Sequence, residues 1–157
     1  MPFTQPKIVS TDYQEAIKLL TKSDVIFSGS FVLKLYGLLP EDREVHDIDL
    51  VFKTKEELVQ FISNTSGKLL SVESDSATED DLLFNIEIPD ILGIKIDCFI
   101  NPNVPVAERK FLESIIKTQM PKDILYKKLN ILIDRSGSKD DVYMKHLNDF
   151  NYIFGGK

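Results

Sequence analysis

Three aspartates and a Gly-Ser pair are the residues of this chain best placed to do chemistry together. Asp47 and Asp49 stand two apart at the head of the run Ile48-Asp49-Leu50-Val51-Phe52, and Asp97 lies within Ile94-Lys95-Ile96-Asp97-Cys98-Phe99-Ile100. Successive strand residues point to opposite faces, so Asp47 and Asp49 are expected on one face and Ile48 and Leu50 on the other. Two carboxylates on one face, joined by a third from a neighbouring strand, make a hard oxygen-rich set suited to Mg²⁺. Gly29-Ser30 follows the short apolar run Val25-Ile26-Phe27 and opens a helical stretch. Backbone N–H groups left free at such a turn are where a phosphate would lie. These parts point to metal-dependent phosphoryl or nucleotidyl transfer. The competing reading makes the aspartates strand-end acids, wetted or bonded to backbone amides. It has to accept carboxylates among apolar neighbours, where an unpaired charge is costly.

The C-terminal third holds a second set of candidates. On a helix beginning at Pro121, a 100° wheel puts Ile124, Leu125, Ile131 and Leu132 on one side, with Lys128 near the middle of that arc and Lys127 on its edge. An ammonium at position 128 must snorkel out, meet a carboxylate or reach a ligand. The last helix buries Val142, Tyr143, Leu147, Phe150 and Ile153, and His146 falls on that side with Asp149 one turn on. A lone histidine on an apolar helix face is more often a satisfied core residue than a catalyst, so His146 is expected to help close the site side of the domain.

The elements that must position these groups follow from pattern and punctuation. A capping box at Thr11–Gln14 predicts a helix over 11–22, and a second at Thr54–Glu57 predicts one over 55–64. The segments 25–27, 46–52, 68–73, 82–88 and 94–100 read as strands, the last two as a hairpin turned at Pro89-Asp90 and Gly93. A helix covers about 30–38, stopped by Gly37 and Pro40. Beyond Asn101-Pro102 the chain is expected to be largely helical, with 108–119 open between helix and strand. Helices then run from Pro121 to about Asp134 and from about Lys139 to Phe154, broken at Ser136–Ser138, and the Gly155–Lys157 tail frays. This order describes a single domain over 1–157 of α+β class, a mixed sheet flanked by helices. Its core spans about 25–101 and a helical part about 103–154.

Gly29-Ser30, then Asp47-Ile48-Asp49-Leu50 and later Asp97, resembles the nucleotidyltransferase fold of the DNA polymerase β superfamily. Arg43, with three residues before Asp47, resembles the Arg-x-x-x-Asp-x-Asp spacing of AbiE-type toxin nucleotidyltransferases and, more distantly, of tRNA CCA-adding enzymes. The resemblance covers about 27–100 well. It implies that Gly29 and Ser30 hold the β and γ phosphates of an NTP, that Asp47, Asp49 and Asp97 bind two Mg²⁺ ions, and that Asp97 acts on the attacking hydroxyl. It also implies a phosphate contact for Lys128 and allows one for Arg43, which is equally a surface arginine in a turn. Lys145-His146-x-x-Asp149 resembles a pattern near the end of related nucleotidyltransferases.

Composition narrows the partners. The net charge of −6 is a poor basis for broad nucleic-acid binding, which needs many phosphate-neutralising cations, although a local patch would suffice for one RNA end. Part of that charge sits in Glu73–Asp81, read as a solvated loop. Cys98 is the only cysteine, which excludes an intrachain disulfide and a multi-cysteine zinc site. It is expected in the core, facing away from Asp97. No run approaches the roughly 20 apolar residues of a membrane span, and the Met1–Pro6 start does not resemble a signal peptide, so a cytoplasmic protein is expected. The function expected is transfer of NMP from an NTP such as ATP to a hydroxyl of tRNA or another RNA end, a protein or a small molecule. The alternative is a catalytically silent binding or regulatory module on the same fold.

Overall fold

The computed structural model describes residues 10–74, 82–134 and 140–154 of the 157. Its elements in chain order are α1 (Thr11–Leu20), β1 (Ile26–Ser28), α2 (Gly29–Leu35), β2 (Ile48–Phe52), α3 (Lys55–Asn64), β3 (Lys68–Ser74), β4 (Leu82–Ile88), β5 (Ile91–Ile100), β6 (Val106–Phe111), β7 (Ser114–Gln119), α4 (Pro121–Asp134) and α5 (Asp141–Phe154). The strands form one mixed sheet in the order β3-β4-β5-β2-β1-β7-β6. β1 runs antiparallel to β2 and parallel to β7, and β2 runs parallel to β5. This is the expected α+β class.

Alternation along the central strands decides the two faces of the sheet. Ile48, Leu50, Ile96, Cys98, Phe27 and Ile86 are buried in one cluster with Tyr13 and Ile17 of α1, Phe31 of α2 and Leu58 and Phe61 of α3. Cys98 is thus a core residue, as expected. The opposite face carries the aspartates and a smaller apolar cluster of Ile26, Val51 and Val104. α4 packs on α5 and on α2. Among the described residues, no helix is long and apolar enough to cross a membrane.

Several boundaries differ from the sequence reading. The α1 cap is Ser10, whose Oγ accepts from the Tyr13 N–H, not Thr11. α2 is shorter than expected, because Gly37 at φ +74 ends the helical run. β2 begins at Ile48, so Asp47 belongs to the irregular segment just before it. β5 begins at Ile91 and carries Gly93 inside the strand, where a turn was expected. The largest correction concerns the helical part expected from about residue 103. Residues 106–119 form the hairpin β6–β7, paired from Val106↔Gln119 to Phe111↔Ser114, and helix begins only at Pro121. Most of the acidic segment Glu73–Asp81, the Ser136–Ser138 break and the 1–9 and 155–157 ends lie outside the described residues, as do the side chains of Ile131 and Val142.

Candidate active site

The register aligns a polar row across the sheet. Asn85 pairs with Asp97, Asp97 with Asp49, and Asp49 with Ser28. Directly paired residues share a face, so four neighbouring strands present one polar group each to the same side. Ser28 extends the row by donating its hydroxyl to Gln119 Oε1 at 2.6 Å. Ser28 is also the N-cap of α2 but makes no side-chain cap, leaving the first-turn N–H groups without one. Ser28, Gly29, Ser30, Asp47, Asp49 and Asp97 line one cleft of about 190 Å³, which Lys127, Lys128 and His146 close from the helical side.

Gly29 makes this cleft sterically possible. Its φ is +71°, and a Cβ added there would stand 1.9 Å from Asp49 Oδ2. Any side chain would be strained and would displace the carboxylate. Tyr13 positions Asp47: its hydroxyl donates to the Asp47 carbonyl at 2.7 Å, holding the peptide that leads into β2. Burial, followed by the charges of Asp49 and Asp47, raises the Tyr13 pKa and keeps the phenol a donor. Tyr13→Phe is therefore expected to cost about 1 kcal/mol of stability, by removing one hydrogen bond at a buried donor. Chemical denaturation checks this, and an unchanged midpoint would mean that the carbonyl is held without the phenol.

The carboxylates crowd one another. Burial, then Asp97, raises the Asp49 pKa to about 6 against the pull of Lys127, with smaller contributions from Asp47 and Lys128. Asp97, 5% exposed, accepts from Asn85 Nδ2 at 2.9 Å, and its other oxygen lies 3.7 Å from Lys95 Nζ. Among the described residues, no three His, Cys, Asp or Glu side chains converge closely enough to hold a metal as they stand. The donor chemistry nevertheless fits a hard divalent cation. The set is all oxygen, and the repulsion of Asp97 and Asp47 on Asp49 is one that a cation would relieve.

No family model and no curated protein matches the chain. A crystal structure of an antigenic nucleotidyltransferase-like protein from Paracoccidioides brasiliensis does match, with a TM-score of 0.54 and 14% identity over 92% of this chain and 77% of that one. The fold is nucleotidyltransferase-like. JHP933 from Helicobacter pylori is similar at a TM-score of 0.49 and 16% identity, over 92% of this chain and 67% of that one.

On this nucleotidyltransferase-like frame, the helical wall is held by a buried charge cluster. Lys128, 4% exposed, places Nζ 3.3 Å from Asp149 Oδ2 and 3.1 Å from His146 Nδ1. Of the outcomes open to it in the sequence, the ammonium meets a carboxylate while still lining the cleft. Asp149 also takes the Arg43 guanidinium in a two-pronged pair, Nε to Oδ1 and Nη2 to Oδ2, each at 3.0 Å. Arg43 is thus engaged with α5 and does not line the cleft, which sets it apart from the other expected phosphate ligands. Burial raises the Asp149 pKa, but the hydrogen bond from Arg43 and the charges of Lys128 and Arg43 outweigh it and hold the carboxyl below its ordinary value. Burial lowers the Lys128 pKa, and Asp149 restores only part of it.

Sequence reasoning missed Ser28, Asn85 and Gln119, whose roles come from cross-strand register, and Lys95, which stands two residues before Asp97 on the same strand. It also left Lys127 on a helix edge. That side chain lines the cleft, with Nζ 3.0 Å from the centroid of the Phe99 ring.

Proposed function

We propose that this chain is a Mg²⁺-dependent nucleotidyltransferase that moves an NMP from an NTP to an acceptor hydroxyl and releases pyrophosphate. The observation that supports it most is the single cleft bringing together Gly29-Ser30, Asp47, Asp49, Asp97 and Lys128, residues 99 positions apart at the extremes and on separate elements. Asp47, Asp49 and Asp97 would hold Mg²⁺, with two ions as the resemblance implies. Bound there, the metal supplies charge neutralisation on the phosphates and lowers the pKa of the attacking hydroxyl. The uncapped N–H groups at Gly29 and Ser30 bind the β and γ phosphates. Lys128, pinned by Asp149, offers its ammonium to the same anion. Asp97, oriented by Asn85, accepts the proton of the acceptor hydroxyl. Catalysis of this kind is mainly positioning and electrostatics. An AbiE-like toxin acting on RNA or protein in the cytoplasm is the context that the Arg43-x-x-x-Asp47-x-Asp49 spacing supports.

The engagement of both Asp97 oxygens favours one second reading, a silent nucleotide-binding module. Titrating NTP with and without Mg²⁺, then measuring pyrophosphate release, separates the two. Turnover requires both metal-dependent binding and release, whereas the module binds without releasing. Lys128→Met is expected to weaken NTP binding about tenfold or more, as loss of a charged hydrogen bond of about 1.5–3 kcal/mol does. Asp149 keeps Arg43 as a partner in that variant, so the fold should survive. Equal affinities for wild type and variant would remove Lys128 from the site.

A further inference from the structure

A second cavity, of about 510 Å³, continues the cleft along the same face of the sheet. The two spaces share Phe99 and Lys127, and Gln119 lines the second while its Oε1 holds Ser28 of the first. The direction of the strands orders them. Asp49 and Asp97 are register partners, and the next pair on that face is Val51 and Phe99, roughly 7 Å further along both parallel strands. Asn101 and Asn103 of the loop after β5 close the far end. Gly29 lies the other way, because β1 is antiparallel to β2 and Ser28 already pairs with Asp49. A triphosphate with its terminal phosphates at Gly29-Ser30 and its α-phosphorus at the aspartates therefore points its nucleoside into this groove.

The lining chemistry fits a heterocyclic base. Val51 and Phe99 give an apolar floor, three carboxamides give neutral donors and acceptors, and among the described residues Lys55 and Lys127 are the only charges of the wall. Gln119 is 6% exposed, and its bond to Ser28 uses only the oxygen end of the amide. Among the described residues no fully buried side-chain nitrogen or oxygen lacks a partner, so the other end of that amide opens into the groove. Asn101 likewise uses Oδ1 on the Asn103 N–H and keeps its amide nitrogen for a ligand. The volume falls within the roughly 300–1,000 Å³ of small-molecule sites.

We propose that this groove binds the nucleobase of the NTP, with the Phe99 ring as a stacking platform and the carboxamides of Gln119, Asn101 and Asn103 reading its edge. Lys127 Nζ lies over this ring. Phosphates of a triphosphate bound at the aspartates give that ammonium a charge-assisted partner beside Asp49 and draw it off the ring. The assignment rests on the nucleotidyltransferase reading, and the test separates the two. ATP, GTP, CTP, UTP and inorganic tripolyphosphate are each titrated by calorimetry with Mg²⁺ into wild type, Phe99→Leu and Asn103→Ala. Wild type is expected to bind at least one NTP about tenfold or more tightly than tripolyphosphate, the worth of one stacked base. Phe99→Leu should lose most of that advantage and leave tripolyphosphate binding unchanged. Asn103 is exposed, so its variant keeps the fold, and it should lose affinity a fewfold for NTP alone. NTP and tripolyphosphate binding equally well to wild type, or both variants binding NTP normally, overturns the base site and leaves the triphosphate site standing. If wild type binds no triphosphate at all, the nucleotidyltransferase reading fails, and the base site with it.

Discussion

Asp49→Asn is expected to give a metal-free protein that is more stable than wild type at neutral pH and nearly inactive. An ordinary aspartate ionises near 3.8, and burial with the neighbouring Asp97 raises Asp49 to about 6. Between those values the native state holds a proton that the unfolded chain has released, so stability falls as pH rises through the interval and stays low above it. At about 1.4 kcal/mol per pKa unit, the cost at pH 7 is on the order of 2–3 kcal/mol. Asparagine keeps the shape and removes the charge. In EDTA the variant should therefore melt higher than wild type at pH 7–8, and the difference should shrink as pH falls from 6 towards 4. Adding Mg²⁺ should raise the wild-type melting temperature and leave the variant's unchanged. Pyrophosphate release should fall about a thousandfold, since a metal supplies several kcal/mol of charge stabilisation and about 1.4 kcal/mol is worth one decade. A variant less stable than wild type throughout this pH range, or one still stabilised by Mg²⁺, would refute the role given to Asp49.

The parts of this picture that were legible in the sequence are those governed by local period. Alternation at 47–52 and 94–100 put the aspartates on the face away from Ile48, Leu50 and Cys98, and the wheel from Pro121 put Lys128 inward. Both follow from backbone geometry that a few neighbouring residues reveal. The β6–β7 hairpin was not legible for an equally local reason. Its turn is Leu112-Glu113, with Leu112 at φ +54°, where glycine, asparagine or aspartate usually announces a tight hairpin. Without that signal, Glu108–Glu113 suits a helix and only Ser114–Thr118 a short strand. The polar row was invisible for a different reason. Asn85, Asp97, Asp49 and Ser28 meet only once strand order and register are known, and β2 lies between β1 and β5 although it is far from β5 in sequence. Arg43 shows the same limit. Its spacing to Asp47 left it open between a phosphate contact and a surface arginine, while its partner Asp149 stands 106 residues away.

That distant pairing carries the largest stability effect expected in the molecule. Asp149, 4% exposed, is the common partner of Arg43 from the segment between α2 and β2 and of Lys128 from α4, and it sits on α5. Asp149→Ala leaves a buried ammonium beside a guanidinium with no anion between them, which costs about 3–5 kcal/mol when one member of a buried ion pair is removed. Asparagine restores the shape of the side chain but no charge, so Asp149→Asn should recover only part of the loss. Lys128→Met combined with Asp149→Leu removes both buried charges. That double variant should be closer to wild type in stability than Asp149→Ala alone, because the penalty comes from the orphaned charge more than from the lost attraction. Acid should mimic the single variant. The Asp149 pKa is held below its ordinary value, so its contribution is complete above about pH 4 and disappears as pH falls through the depressed native value. Denaturant melts of wild type and the three variants at pH 7 decide the matter. If Asp149→Ala unfolds at the wild-type midpoint, the cluster does not hold α4 and α5 against the cleft. If it unfolds early and the double variant recovers, the ion pair is what keeps Lys128 facing the site.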